Sequence, residues 1–495
     1  MAEPVEKPTD GPLNRWGKWK VPKYVKRGSG RVDLRLVAGS AVLGLVVAAG
    51  AVLATGPWDS GQRKAERDRV AALQRAGGAH HDGTTPDGPE PAASAPAVLR
   101  ALGATGGTTT APAGASGLDA ALTPLLDAPA LGSVRTAVVV DAATGKQLYA
   151  RGAGTPMTPA STVKIATAAA ALSALGPAHR IATTVRLSPD SRTLTLVGGG
   201  DPTLDKAALR SLAADTARSL RDAGAGPVRL VYDASRYSGP ALHPIGPNEN
   251  IAPVSALMAD EGRLDRSDRG PAPRTDDPAG DAARTFADLL DDAGVATRSA
   301  PASGRAPAKA RTVATHLSKP LSALVERALT NSDNDIAEAL ARQTALKDGE
   351  PASFAGSRRA VTARLTSLGL PLGGARLADG SGLDRADKVT AGLLARLLAL
   401  AAGPDHPELR PVLTGLPVAG FSGTLGDRYT ATSPATGLIR AKTGTLTGVN
   451  SLAGTAVDAQ GRLLAFAFLA AGTTSADDAE ASLDTLATTL TQGTR

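Results

Sequence analysis

No cysteine occurs anywhere in the 495 residues. That excludes thiolate metal sites, cysteine nucleophiles and a disulfide framework, and it suits an exported protein that avoids stray disulfides. Aromatic residues are scarce at 3%, and lysine is outnumbered by arginine, 14 to 40. With alanine and glycine abundant, this is the compositional bias of a GC-rich genome and carries no functional information. Histidine occupies six positions (His80, His81, His179, His243, His316, His406), none in a recognisable catalytic context, which argues against a Ser-His-Asp triad. The net charge of +7 is a terminal feature: the first 35 residues hold nine basic and four acidic side chains, leaving only +2 for the rest. The body of the chain therefore has no electrostatic footprint for nucleic acid.

What is present begins with a 20-residue uncharged run, Leu36 to Thr55, directly after the basic tail. As a helix it spans a hydrocarbon core of about 30 Å. The positive charge before it predicts a single-pass membrane anchor at 36–55 with residues 1–35 in the cytoplasm and the body outside. The competing reading is a signal peptide, since Ala49 and Ala51 suit a cleavage site, but a 35-residue charged leader is long for one. Residues 56–117 read as an extracellular linker. From Gly77 to Ser116 it is dominated by Ala, Gly, Thr and Pro, which cannot bury enough surface to fold. As a random coil, 40 such residues reach roughly 35 to 40 Å.

From 118 onward the pattern alternates strands and helices. An amphipathic helix at Leu118 to Leu126 precedes a buried strand at Thr136 to Val140 and its hairpin partner, Gln147 to Arg151. A helix is then expected with Thr158 as cap, Pro159 at its first position and Gly176-Pro177 as its stop. Between Lys164 and Ser332 an inserted unit (about 184–315) carries a hairpin (184–187 and 193–197), a helix from Asp205 to Ala223, a strand from Val228 to Tyr232 and a helix from Ala279 to Ala293. A helix at 320–329 leads into Asn331-Ser332-Asp333-Asn334, helices follow at 356–369 and 390–400, and Thr436 to Leu446 reads as a strand. A hairpin, 452–457 with 463–470, and a helix from Ser475 to about Leu490 close the chain.

Three short strings carry the chemistry: Ser161-Thr162-Val163-Lys164, Ser332-Asp333-Asn334 and Lys442-Thr443-Gly444. Singly each is weak; their order and local setting join them into a serine acyl-transfer site. On the expected helix Lys164 lies one turn beyond Ser161 on the same face, about 4.5 Å along the axis. A serine hydroxyl needs a base, and lysine can serve only if neutral, so burial or a second cation must depress its pKa; Lys442 is the candidate cation. The string Gly198-Gly-Gly-Asp-Pro202 lacks the spacing of a nucleotide loop and suits a turn.

With these residues in place the chain resembles the penicillin-recognising serine transferases and hydrolases, and specifically the class C low-molecular-mass penicillin-binding proteins, the D-alanyl-D-alanine carboxypeptidase/endopeptidase group. The supporting strings are Leu196-Val-Gly-Gly-Gly-Asp-Pro-Thr-Leu204, Tyr232-Asp-Ala-Ser235, Pro253-Val-Ser-Ala-Leu257, Asp379-Gly-Ser-Gly-Leu383, Leu416-Pro-Val-Ala-Gly420 with Gly423-Thr-Leu425, and Arg440-Ala-Lys-Thr-Gly-Thr-Leu446. The resemblance implies an α/β (α+β) fold: a β-lactamase/transpeptidase-like antiparallel sheet with helices on both faces, spanning 118–495, plus a smaller inserted α+β domain longer than a β-lactamase needs. It implies that Ser161 attacks the D-Ala-D-Ala bond of a peptidoglycan stem peptide with Lys164 as base. It further implies that Ser332 relays a proton, Asn334 holds the peptide, Lys442 and Thr443 bind the terminal carboxylate, Gly444 and Thr445 belong with Thr443 to the substrate-binding residues, and the Ser161 and Thr445 backbone N–H groups form the oxyanion hole. β-Lactams would act as inhibitors, and no metal or cofactor is called for. Two other readings stand beside it, a β-lactamase and a non-catalytic wall-binding or β-lactam-sensing protein on the same fold.

Overall fold

The apolar runs at 137–140 and 463–471 are too continuous for a half-exposed sheet, and in the computed structural model they lie, with 449–457, in the middle of one buried on both faces. The structure describes residues 115–430 and 432–492. The basic tail, the apolar run at 36–55 and nearly all of the linker lie outside the described residues. Among the described residues no helix is long and apolar enough to cross a membrane.

In chain order the elements are α1 (Ala115–Leu126), β1 (Val134–Asp141), β2 (Gln147–Arg151) and α2 (Lys164–Leu175). The insert follows with β3 (Ala182–Leu187), β4 (Thr193–Val197), α3 (Lys206–Asp222), β5 (Arg229–Asp233), α4 (Pro278–Asp292), β6 (Ala302–Ser303) and β7 (Arg311–Leu317). The chain then returns through α5 (Leu321–Thr330), α6 (Asn334–Lys347), α7 (Phe354–Ser367), α8 (Ala391–Ala402), β8 (Ile439–Leu446), β9 (Val449–Val457), β10 (Leu463–Ala471) and α9 (Ala476–Gln492).

The first sheet runs β2-β1-β10-β9-β8, antiparallel throughout. Its period of two sends Val138, Val140, Ala465, Ala467 and Leu469 toward α2, α5, α6 and α8, and Ala137, Val139, Phe466, Phe468 and Ala470 toward α1 and α9. Helices therefore cover both faces. The second sheet, order β6-β5-β4-β3-β7, is mixed: β4-β5 and β5-β6 pair in parallel, the rest antiparallel, with α3 and α4 packed on it. β8 is an edge strand, so half of its backbone groups have no ladder partner. Helix α6 has no counterpart in the sequence reading. Its charged positions Asp335, Glu338 and Arg342 are buried along with its alanines, so no polar face marks it as amphipathic.

Candidate active site

Ser161 lies in a tight 3-10 turn, Ala160–Val163, that feeds α2, rather than in the first turn of the α-helix itself. The expected cap is also corrected. The Thr158 hydroxyl donates to the Arg385 carbonyl (3.3 Å) and accepts from Lys388 Nζ (2.7 Å), and no side chain caps the turn. What fixes it is tertiary. The Pro159 carbonyl accepts from both Thr162 Oγ1 and Ser451 Oγ at 2.7 Å, and Ala160 is held at φ 48° with its carbonyl packed on the backbone of Gly382, where a Cβ would collide. A non-glycine residue at positive φ beside a reactive group is strain that the surroundings must impose.

Lys164 is buried, and its ammonium nitrogen meets three acceptors: Ser161 Oγ at 3.0 Å, Asn334 Oδ1 at 2.7 Å and the Ser381 carbonyl at 2.6 Å. In the neutral amine the two carbonyl-type acceptors take the two N–H groups, and the lone pair is left for the Ser161 hydroxyl proton. Burial lowers its pKa from 10.5 to about 8, against the opposing charges of Asp379, Asp333 and Glu338. That depression costs about 3 kcal/mol of folded-state stability below pH 8, relieved as pH rises toward the unfolded value. The acylation rate is accordingly expected to climb about tenfold per pH unit below 7.5 and to level near 8. A pH series of penicillin acylation rates checks this; a flat profile would remove Lys164 as the base.

The second string stands at the joint of α5 and α6. Ser332 takes φ 58°, Asp333 caps α6 by accepting from the Ile336 N–H (3.0 Å), and Asn334 opens the helix. Asn334 binds Lys164 through Oδ1 and donates from Nδ2 to the Asn250 carbonyl (2.9 Å), so it ties the insert to the base. No hydrogen bond joins Ser332 to Lys164 or Lys442; what reaches Lys164 from this string is Asn334, two residues on.

The third string lies on the edge strand. Lys442 is buried, donates to the Thr443 carbonyl (2.8 Å), and is held well below the usual amine range by burial and by the charges of Lys164 and Arg428. Thr443 Oγ1 donates to Thr424 Oγ1 at 2.8 Å. At Gly444 a Cβ would meet Ser451 Oγ, and would lie 2.7 Å from the Pro159 carbonyl and 3.1 Å from the Ser161 nitrogen, so only glycine lets β8 sit against the nucleophile turn. The Ala441 N–H donates to Pro417 and the Ile439 carbonyl accepts from Ala419, both away from β9. By the same alternation the N–H groups of Thr443 and Thr445 lie on the outer edge. The Thr445 side chain turns to α9, donating to Glu480 Oε1 (2.7 Å).

Several working residues were invisible as chemistry in the sequence. Ser381, whose carbonyl accepts from Lys164 Nζ, lies in the string 379–383, which in the sequence bears only on the resemblance. Beneath it Glu338 and Asp379 receive the loop's N–H groups, and His243 reaches Asp379 from the insert. A second buried cluster, Glu261, Asp333 and Asp335, is met by Arg263, Arg274 and Arg327 and clamps the insert to the start of α6. Each cluster has the donor spacing of a metal site. In the first, backbone N–H groups, the Ser381 hydroxyl and His243 already engage carboxylate oxygens, and in the second backbone N–H groups and guanidinium ions do, which is the chemistry of structural tethers.

A family model described as the D-Ala-D-Ala carboxypeptidase 3 (S13) family matches residues 118–269 and 265–492. A carboxypeptidase of Mycobacterium tuberculosis is 38% identical over 434 residues, 83% of this chain and 91% of the relative. A D-alanyl-D-alanine carboxypeptidase of an Actinomadura species is 31% identical over 423 residues, covering 68% of this chain and 78% of that one. Among solved structures, penicillin binding protein 4 of Haemophilus influenzae superposes with a TM-score of 0.62 at 24% identity, over 75% of this chain and 98% of the other, a likeness of fold.

Proposed function

The chain belongs to the D-Ala-D-Ala carboxypeptidase 3 (S13) family and is a serine D-alanyl-D-alanine carboxypeptidase, and from that premise we propose how its residues divide the work. Ser161 Oγ attacks the carbonyl of the penultimate D-alanine as Lys164 takes its proton. The C–N bond to the terminal D-alanine breaks, its amine receives the proton through Ser332, and water then hydrolyses the ester to regenerate Ser161. The N–H groups of Ser161 and Thr445 face the developing oxyanion. Lys442, Thr443 and the Thr424 hydroxyl receive the terminal carboxylate, whose charge would restore the Lys442 ammonium against the cost of burial.

The observation that carries this reading is the contact of Lys164 with Ser161, at 3.0 Å with both other donor directions fixed. The substrate is a peptidoglycan stem peptide, and β-lactams acylate the same serine. Two measurements test it: D-alanine release from a pentapeptide ending in D-Ala-D-Ala, and mass spectrometry of the penicillin-treated protein. One adduct is expected, on the peptide that carries Ser161; an adduct elsewhere, or none, overturns the assignment.

The uncharged run at 36–55, with the basic residues before it, supports a single-pass anchor that holds this domain outside the membrane on a long tether. Deleting residues 36–55 is expected to move the protein from the membrane to the soluble fraction. Unchanged membrane association would refute the anchor.

A further inference from the structure

The reaction above leaves unused a buried group of titratable side chains between the insert and the catalytic loop. His243 belongs to the insert, between β5 and α4, yet its side chain is buried against the catalytic part. Nε2 lies 2.9 Å from Asp379 Oδ2, Nδ1 lies 3.3 Å from the Ile245 nitrogen, and the ring meets Phe354 edge-on at 5.3 Å. Since the Ile245 N–H donates to Nδ1, the proton is on Nε2 and the imidazole donates to the carboxylate.

Asp379 gathers the rest of the loop. Its Oδ1 accepts from the N–H groups of Ser381 (3.0 Å) and Gly382 (2.6 Å), and its Oδ2 from the Ser381 hydroxyl (3.1 Å) and the Asp384 N–H (2.8 Å). Glu338 Oε1 accepts from the N–H groups of Gly380 and Ser381, each at 2.9 Å. With the N–H groups held on the carboxylate side, the carbonyls point to α2: Gly380 accepts from Thr167 Oγ1 (2.8 Å) and Ser381 accepts from Lys164 Nζ (2.6 Å). The direction of the base is thus set by a backbone segment whose other side is pinned by two acids and one histidine.

We propose that His243, Asp379 and Glu338 form a positioning unit for the catalytic base: they hold the Ser381 peptide so that its carbonyl orients Lys164, and through His243 they make acylation depend on the docked insert. The unit touches neither substrate nor the reacting atoms. It rests on Ser161 acylation as described above. Removing the His243 donor leaves Asp379 Oδ2 one partner short in a buried site, and the loop that carries Ser381 relaxes toward another one.

The test compares His243→Leu, which removes the donor, with His243→Gln, whose amide N–H can replace it, by saturation kinetics of fluorescent-penicillin acylation. The Leu variant is expected to lose about tenfold in the first-order acylation constant with less than twofold change in non-covalent binding, and the Gln variant to recover most of the loss. Asp379→Asn should show the same split, and His243→Leu added to it should bring no further loss, because both act through one loop. The proposal is overturned if His243→Leu acylates at the wild-type rate, if Leu and Gln lose equally in step with melting temperature, or if the loss lies in binding. Should His243→Leu fail to fold, an unaltered rate in Asp379→Asn overturns it. A wild-type protein that is not acylated at Ser161 defeats the underlying assignment instead, a result read before any variant is made.

Discussion

Replacing Lys164 with methionine is expected to lower both D-alanine release and penicillin acylation by about 10^3 to 10^4. Methionine has nearly the length of lysine and can fill the same buried space, so Ser161 keeps its turn and loses only its base. The stability change should be small, for two effects oppose. Loss of a buried amine with a depressed pKa relieves about 3 kcal/mol near neutral pH. Against this, Asn334 Oδ1 and the Ser381 carbonyl each lose a donor, at about 1 to 3 kcal/mol apiece. A melting temperature within a few degrees of wild type, alongside collapsed turnover, identifies a catalytic loss. If the variant retains a tenth of the wild-type rate, Lys164 is not the base and the proton leaves Ser161 by another route.

Gly444→Ala is expected to cost about 10^2 to 10^3 in acylation rate, comparable to removal of one oxyanion-hole donor. The residue has no functional group, so the effect is wholly geometric. A methyl there meets Ser451 Oγ, the Pro159 carbonyl and the Ser161 nitrogen, and two of those are backbone. β8 must move outward, carrying Lys442, Thr443 and the Thr445 N–H away from Ser161. The loss should fall on the acylation step more than on stability, since the edge strand keeps its ladder to β9. Stopped-flow acylation by penicillin separates the two; a rate within threefold of wild type, a small effect by the same scale, would show that β8 has room to spare.

How much of this was legible in advance follows from which contacts are local. The strands β1 and β10 were readable because Ala137–Val140 and Leu463–Ala471 are apolar without a break, as a sheet buried on both faces requires, and β9 because Leu452 onward reads as the hairpin partner of β10; its start at Asn450 and Ser451 was not. Ser161 and Lys164 were readable because three residues of spacing put them together on any helical turn. Helix α6 was not, because its acids and arginine serve the interior, and Asp379 stood in the sequence as one more acid in a glycine-rich turn.

The sequence by itself therefore determined the three strings, their order and the spacing that puts Ser161 and Lys164 on one turn, since each is a matter of residue type and short spacing. Only the tertiary structure decided how the pair is aimed. The Thr158 cap was plausible by local rules and wrong, because its hydroxyl is taken by the Arg385 carbonyl and Lys388 Nζ, far along the chain, and Ala160 stands at positive φ where a helix start would need the right-handed region. The two acceptors that direct the Lys164 lone pair come from positions 170 and 217 residues away. No local propensity encodes such contacts; they exist only after the insert, α6 and the catalytic loop have closed on one another, when buried N–H and C=O groups take the only partners left to them.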